Sequence, residues 1–320
     1  MRHTALALVV LAATLACGAT AARDDDVPDA AEVRSDVALD AAPDQADDAP
    51  GEADAPSGDT VASLPCNGHT ALCGRRFDQV AYVTTHNAMA NAADGFKLPN
   101  QDDDVPTQLA KGVRAFMLDT HDEAGVVMLC HSVCQLGKKP LVETLTALAT
   151  FLEANPREVV SILFESYVTE AATAAVFDEA GLLPRVRAQA PGEPWPTLNE
   201  MIAADTRLVV FSDNATGTVP WHLPVWDHAF ETHWSAKTVD DFSCAPNRGD
   251  PANPLFILNH FLTNPAASKT LAAEANANPF FLERAEACQQ ATGQLPNFVT
   301  VDFATIGDVG AVVDALNGVD

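Results

Sequence analysis

The sequence predicts an α/β fold and, within that class, a (β/α)8 barrel. Three observations lead there. From residue 64 onward, short β-branched runs alternate with alanine- and leucine-rich stretches. The runs number eight within roughly 250 residues, which suits a barrel. "EVVSILFES" at 158–166 is near-continuously apolar, as a strand covered on both faces of a parallel sheet is. A doubly wound sheet is the alternative, but no glycine-rich phosphate loop follows the first strand.

In chain order, the first strand is expected at 79–85, within "VAYVTTHNAMA". A helix at 104–111 and a strand at 113–119, within "GVRAFMLDTHDE", come next. A third strand is read at 126–130. The stretch "LVETLTALATFLEANP" predicts a helix over 140–154, because its apolar residues recur at helical spacing and Pro156 follows its end. Further strands are expected at 158–164, 207–212, 228–234, 255–260 and 298–303. Helices are expected at 171–180, 197–204, 266–275 and 283–292.

The amino terminus is organised differently. "MRHTALALVVLAATLACGAT" joins a basic start to an apolar stretch ending in small residues, the pattern of an export signal over 1–22. Cleavage is expected before Cys17, as in a lipoprotein with an imperfect lipobox, or near Ala22. Residues 23–63 are rich in Asp, Ala and Pro and contain no aromatic residue. Such a stretch cannot bury enough apolar surface to fold and reads as a disordered linker. The barrel is assigned to 64–320. The expected location is outside a bacterial cell, as an outer-membrane or cell-surface lipoprotein or as a secreted protein.

Charge excludes one class of function. The chain carries a formal charge of -26, from 44 acidic and 18 basic residues. Residues 64–320 alone hold 31 acidic and 15 basic residues. This balance repels nucleic acid and does not favour anionic membranes. Of the seven cysteines, Cys17 is set aside as a lipid attachment site. Nearness then suggests disulfides Cys66–Cys73, Cys130–Cys134 and Cys244–Cys288, out of fifteen pairings of the remaining six.

The carboxyl ends of barrel strands carry the active site. Here those ends read Thr85, His86 and Asn87, then Asp119, His131, Glu165, Asp213, then Asn259 and His260, and finally Asp302. Two histidines can divide acid and base work, since imidazole titrates near neutrality. Asn87, Asp119 and Glu165 offer hard oxygen ligands for calcium or magnesium. Arg114 interrupts an apolar strand. It is read either as a catalytic cation facing the barrel interior or as half of a structural ion pair.

At this point the stretches "TTHNAMA", "GVRAFMLDTHDE", "LCHSVC", "FLEANPREVVSILFESYV", "WPTLNEMI", "RLVVFSD" and "FVTVDF" together resemble the phosphatidylinositol-specific phospholipase C X-domain superfamily. The secreted, PLC-like phosphodiesterase branch is the closer match. The resemblance covers about residues 64–310 and implies a PLC-like TIM barrel. It implies that His86 is the catalytic histidine at the phosphate and attacking hydroxyl, and that His131 protonates the leaving alcohol. Asp302 resembles the aspartate that orients the first histidine. A divalent cation, calcium above all, is implied at Asn87, Asp119 and Glu165. One departure stands out: where the superfamily has Glu-x-Asp, this chain has Met117-Leu118-Asp119. A thioether is a poor ligand for a hard cation, so Asp122 or water is expected to compensate. Metal-independent members place an arginine two residues past the aspartate, where this chain has His121.

The function this implies is cleavage of a phospholipid or related phosphodiester, with a membrane surface as the substrate interface and a monomer as the working unit. Asp213, Asn259 and His260 are candidate head-group contacts. "VPWHLPVWDHAFETHW" supplies Trp221, Trp226 and Trp234 either to the pocket wall or to ordinary packing. His222, His228 and His233 fit no familiar metal spacing. The rivals are a glycerophosphodiester phosphodiesterase, whose first-strand signature resembles H-R-G, and an inactive lipid- or glycan-binding barrel.

Overall fold

The computed structural model describes residues 64–319. The expected leader at 1–22, Cys17 and the linker at 23–63 lie outside the described residues. The chain enters β1 (Tyr82–Thr85) and reaches α1 (Val105–Ala110) through a long loop. Next come β2 (Ala115–Glu123), β3 (Val126–Leu129), β4 (Lys139–Pro140), α2 (Leu141–Ala154), β5 (Val160–Ser166) and α3 (Glu170–Glu179). Then follow α4 (Leu198–Ala203), β6 (Leu208–Ser212), β7 (His222–Pro224), α5 (Val225–His228) and β8 (Ala229–Glu231). The last elements are β9 (Leu255–Asn259), α6 (Lys269–Ala275), α7 (Phe280–Thr292), β10 (Phe298–Val301) and α8 (Val309–Asn317).

Local sequence explains these elements. α2 buries Leu141, Leu145, Leu148 and Leu152, a stripe at helical spacing. Burying each leucine is worth roughly 1.5–3 kcal/mol, and Leu145→Ala would cost about 2–5 kcal/mol. α4 opens on a capping box, in which Thr197 and Glu200 satisfy each other's backbone N–H groups. α7 stops at Gly293, whose left-handed conformation glycine adopts without strain.

Eight parallel strands run in the order β7-β6-β5-β2-β1-β10-β9-β8. The first and last strands of the chain, β1 and β10, pair at its centre, Tyr82 opposite Phe298. The inward residues of all eight strands share one cluster, so the sheet curls into a barrel, unladdered between β7 and β8, and is not a flat doubly wound layer. Alternate residues of all eight strands fill the interior, among them Tyr82, Ala115, Leu163, Phe211, Leu223, Ala229, Ile257 and Phe298. Phe77 and Trp195 close its floor. The opposite faces, with Phe116, Leu118, Ile162, Phe164 and Val210, pack under the helices. The three expected disulfides are all present. No helix among the described residues is long and apolar enough to cross a membrane.

Two strand assignments need correction. The run at 126–130 is not a barrel strand. It is β3, which folds back antiparallel on β2 from a turn at Ala124 and Gly125. The barrel position belongs instead to β7, which the alternation of apolar runs did not reveal. No ladder joins β7 to β8 among the described residues. The Thr232 N–H donates to Ile257, so the peptide groups of Glu231 face the other way, towards that seam. There the Glu231 N–H donates to the Arg248 carbonyl (3.0 Å) and the Asn247 N–H donates to the Glu231 carbonyl (2.8 Å). The returning loop after β8 thus caps the open edge. Gly249 permits this approach: a Cβ there would fall 2.1 Å from the Ala229 carbonyl oxygen.

Candidate active site

The barrel alternation decides which strand-end residues face the mouth. Tyr82 and Thr84 precede His86 on the inward phase of β1. Ala115 and Met117 precede Asp119 on β2, and Leu163 precedes Glu165 on β5. Asp119 and Glu165 are paired in register. The register of β5 with β6 carries the same level on to Asp213. Three carboxylates therefore form a row across adjacent strands.

His131 reaches the mouth by a different route. β2 continues four residues past Asp119, turns, and descends as β3, which brings Leu129 opposite Thr120. The Cys130 N–H then donates to the Asp119 carbonyl. The hairpin returns His131 to the level from which β2 rose. The Cys130–Cys134 disulfide closes the loop that carries it.

The two histidines meet around Asn87. Its backbone turns left-handed at φ 45°, a conformation asparagine tolerates better than most residues. The side-chain amide nitrogen lies 3.1 Å from His86 Nε2 and 3.3 Å from His131 Nε2. An amide N–H donor suits lone pairs on both. No protein donor among the described residues reaches its carbonyl oxygen. On the other side of His86, Nδ1 donates to Asp302 Oδ1 at 2.9 Å. Asn100 donates to the same oxygen, also at 2.9 Å. The His86 ring stacks on Phe261 with centroids 3.7 Å apart. Gln101 donates to the carbonyls of His86 and Val301 and accepts from Ala304 N–H, pinning the ends of β1 and β10 together. Asn100, Gln101 and Phe261 are site residues that sequence reading missed. They lie in loops, where no periodic pattern marks them.

Electrostatics follow from burial. Burial lowers the His131 pKa, and the neighbouring His86 lowers it further. His131 is therefore neutral at pH 7 in the resting site. Asp119 is 5% exposed, and its carboxylate has no hydrogen-bond donor among the described residues. Burial raises its pKa well above the usual range, with Glu165 and Asp213 adding to the rise. Burial also raises Asp213, against hydrogen bonding from Ser166 N–H. Glu165 accepts from the Tyr167 hydroxyl at 2.5 Å. This bond, with the negative charge of Glu165 beside it, pushes the Tyr167 pKa up to about 12.

Several expected residues stand elsewhere. Arg114 precedes β2 at the amino end of the barrel and shares the outward phase of Phe116. It binds Glu158 at 2.6 Å, donates to the Leu109 and Val113 carbonyls and covers Phe151. The structural ion pair is the correct reading, and Arg114 is not in the site. His260 points outward too. It receives Arg284 on Nδ1 and donates from Nε2 to Ala275. Asp122 lies near the tip of the β2–β3 hairpin, paired with Val127 and accepting from Gly125 N–H, and cannot replace a ligand at Met117. Met117 faces inward one layer below Asp119, packed against the apolar interior. His121 stacks on Tyr167. Trp226 packs against the barrel interior and Trp221 against Phe177, whereas Trp234 is exposed.

The family model described as "PI-PLC X 1" matches residues 72–317. The chain belongs to the PI-PLC X-domain family. Its relatives include a PI-PLC X domain-containing protein of Arabidopsis thaliana, 31% identical over 77% of this chain. An uncharacterized secreted protein of Arthroderma benhamiae is 31% identical over 78%. These matches span 63% and 62% of the relatives' own lengths. PI-PLC X domain-containing protein 1 of the same fungus is 29% identical, covering 81% of this chain and 91% of its own. Among solved structures, a mutant phosphatidylinositol-specific phospholipase C from Staphylococcus aureus superimposes with TM-score 0.54 at 14% identity, over 78% of this chain and 94% of its own. That likeness establishes the shared PI-PLC barrel fold.

The donor set also answers whether a cation suits this PI-PLC X domain. No three His, Cys, Asp or Glu side chains among the described residues stand grouped to hold a metal. The candidate set contains only two such carboxylates and is completed by an amide. Asn87 has a carbonyl oxygen free of protein donors, and Asp119 is a buried carboxylate that nothing compensates. Both features fit a hard cation.

Proposed function

We propose that this PI-PLC X domain cleaves a phospholipid or related phosphodiester by paired-histidine acid–base chemistry. The observation that carries the reading is Asn87 bridging His86 and His131 while Asp302 fixes the His86 tautomer. With Nδ1–H held by Asp302, His86 Nε2 is left to accept the proton of a neighbouring substrate hydroxyl. That hydroxyl oxygen attacks phosphorus and forms a cyclic phosphodiester. His131 protonates the departing alkoxide. It is neutral at rest, and a bound phosphate anion beside it favours its protonated form. Asn87, Asp119 and Glu165 would hold a divalent cation, probed first with calcium, which supplies charge stabilisation for the phosphoryl oxygens.

A lipid interface as partner is supported by the rim. Exposed Leu98, Val126, Val133, Tyr167 and Trp234 all rise from segments beyond strand carboxyl ends, around the mouth. Export is supported by three disulfides and by a relative described as secreted.

The test is phosphorus NMR on residues 64–320 with inositol phospholipid in mixed micelles, with calcium and with chelator. A cyclic phosphate is expected. His131→Ala should slow loss of an alkoxide by about 10²- to 10⁴-fold, and much less that of a nitrophenolate. Equal slowing of both would remove His131 as the acid. No product with any diester would favour a barrel that binds without turnover.

A further inference from the structure

Arg248 is a half-exposed cation at the open edge of β8 that the reaction as described does not use. It lies in the loop that caps the open edge of β8, with its backbone bonded to Glu231. Its Nε donates to Glu231 Oε1 at 2.6 Å. Glu231 is 2% exposed and is itself held by Asn247 on Oε1 and by Asn259 on Oε2, each at 3.0 Å. The guanidinium lies over the Trp226 ring, 4.4 Å from its centroid. Its terminal nitrogens have no protein acceptor among the described residues, and the side chain is 47% exposed. A fork fixed from behind by a buried carboxylate and from one face by an aromatic ring, with its outer N–H groups unused, is a preorganised donor.

Its place round the barrel gives it a task. β8 is four strands from β2 in either direction, so Arg248 stands on the opposite side of the barrel from Asp119 and His131. For Arg248 to meet it, a diester whose phosphorus sits at the histidines must extend its head group towards this side. Asp213, whose carboxyl feels the Arg248 charge, lies between them and offers an acceptor.

We propose that Arg248 is the specificity-determining residue of the mouth. Its terminal N–H groups receive oxygen acceptors at the far end of the head group, which selects oxygen-rich head groups over quaternary-ammonium ones. Glu231 is its positioning residue. The inference rests on the phosphodiesterase reading for its substrate, and the test separates the two. Wild type, Arg248→Met and Arg248→Lys are compared in cleavage of diesters with inositol, glycerol and choline head groups. Direct binding of inositol 1-phosphate and phosphocholine is measured by calorimetry, and thermal melts verify folding. In Arg248→Met, KM and Kd for the oxygen-rich ligands should rise about 10- to 100-fold, the loss of a charge-assisted hydrogen bond. The choline compounds should change less than threefold, with kcat retained. Arg248→Lys keeps the charge but not the fork and should recover part of the loss. Inositol against glycerol tells whether a ring of hydroxyls or any polyol is read. If inositol 1-phosphate and phosphocholine weaken equally, or neither weakens, Arg248 has no such role. Binding selectivity without turnover in any arm would uphold the Arg248 assignment and overturn the enzymatic reading instead.

Discussion

Replacing Asp302 with asparagine tests the core of the site with the least disturbance of shape. The carboxylate is 3% exposed and accepts two N–H groups on one oxygen, from His86 and Asn100, each at 2.9 Å. Its second oxygen, Oδ2, is buried with no partner. An asparagine must place either its oxygen or its amide against His86. With the oxygen there, the tautomer survives but the charge that favours the imidazolium is gone. With the amide there, His86 must accept at Nδ1 and carries its proton on Nε2, where a base is required. The first outcome removes a charge-assisted hydrogen bond, about 1.5–3 kcal/mol. At 1.36 kcal/mol per factor of ten this is about 10- to 150-fold in rate. The second outcome can reach about 10⁴-fold, as wrong-tautomer variants of other histidine bases do. The assay is initial-rate cleavage of a soluble diester, with a thermal melt of the same sample. We expect kcat to fall at least tenfold, KM to hold and the melting midpoint to move by no more than a few degrees. A variant within threefold of wild type would show that Asp302 does not set the state of His86, and the assignment of His86 as base would fall with it.

Other consequences can be checked together. Arg114→Met should leave kcat/KM within threefold while destabilising the fold by about 1–3 kcal/mol, because Glu158 loses a mostly buried partner; denaturant titration and kinetics separate the two. In the absence of divalent cations, Asp119→Asn should stabilise the fold by about 1–3 kcal/mol, since it removes a buried and repelled carboxylate. The same change should weaken calcium binding at least tenfold by calorimetry, and unaltered affinity would exclude Asp119 as a ligand. Acid should destabilise the protein through its buried histidines. Burial, with Arg284 beside it, lowers the His260 pKa from the usual 6.5 to about 3. The folded state holds fewer protons there, so this contribution is complete above pH 6.5 and declines as pH falls towards 3. At pH 5, 1.5 units below 6.5, it has cost about 2 kcal/mol. Urea midpoints at pH 7 and pH 5 should differ less in His260→Gln than in wild type.

How much of this was legible in the sequence depends on what kind of signal each residue carried. Long elements with buried stripes, such as α2 and β5, declared themselves, and the barrel followed from their alternation. β7 did not, because three residues ending in proline carry no period. β3 misled for the opposite reason: a hairpin arm buried under a helix reads as apolar as a barrel strand. The strand ends were visible as His86, Asn87, Asp119, Glu165 and Asp302, but their directions were not. Phase would have supplied them. Arg114 is in step with Phe116 and Leu118, which face the helices, whereas Asp119 is in step with Ala115. His260 is in step with Phe256 and Leu258, whereas Asn259 is in step with Ile257. One inward residue per strand was enough to sort site residue from buttress. Glu231 and Arg248 could not be sorted in this way, because they meet only where a loop returns to a strand edge.

That return links the fold to the site. A barrel with a ladder between β7 and β8 would bury the peptide groups of Glu231 in the sheet and leave no room for Arg248. Here the connection between the two strands is one four-residue helix, too short to carry a crossover layer. The open edge of β8 would expose its backbone donors and acceptors unless another segment met them. Residues 246–249 do so, and they bring a guanidinium to the side of the mouth facing the histidines. Loss of the strand pairing and gain of the cation are the same structural event. Extending Gly249 to alanine should therefore act on both at once. The added methyl cannot fit beside the Ala229 carbonyl, so the loop must lift. Stability and head-group selection should then fail together, while the chemistry at His86 and His131, four strands from this edge at His131's hairpin, retains its dependence on leaving group. A Gly249→Ala protein that melted lower but bound inositol 1-phosphate as wild type does would break the link between seam and recognition.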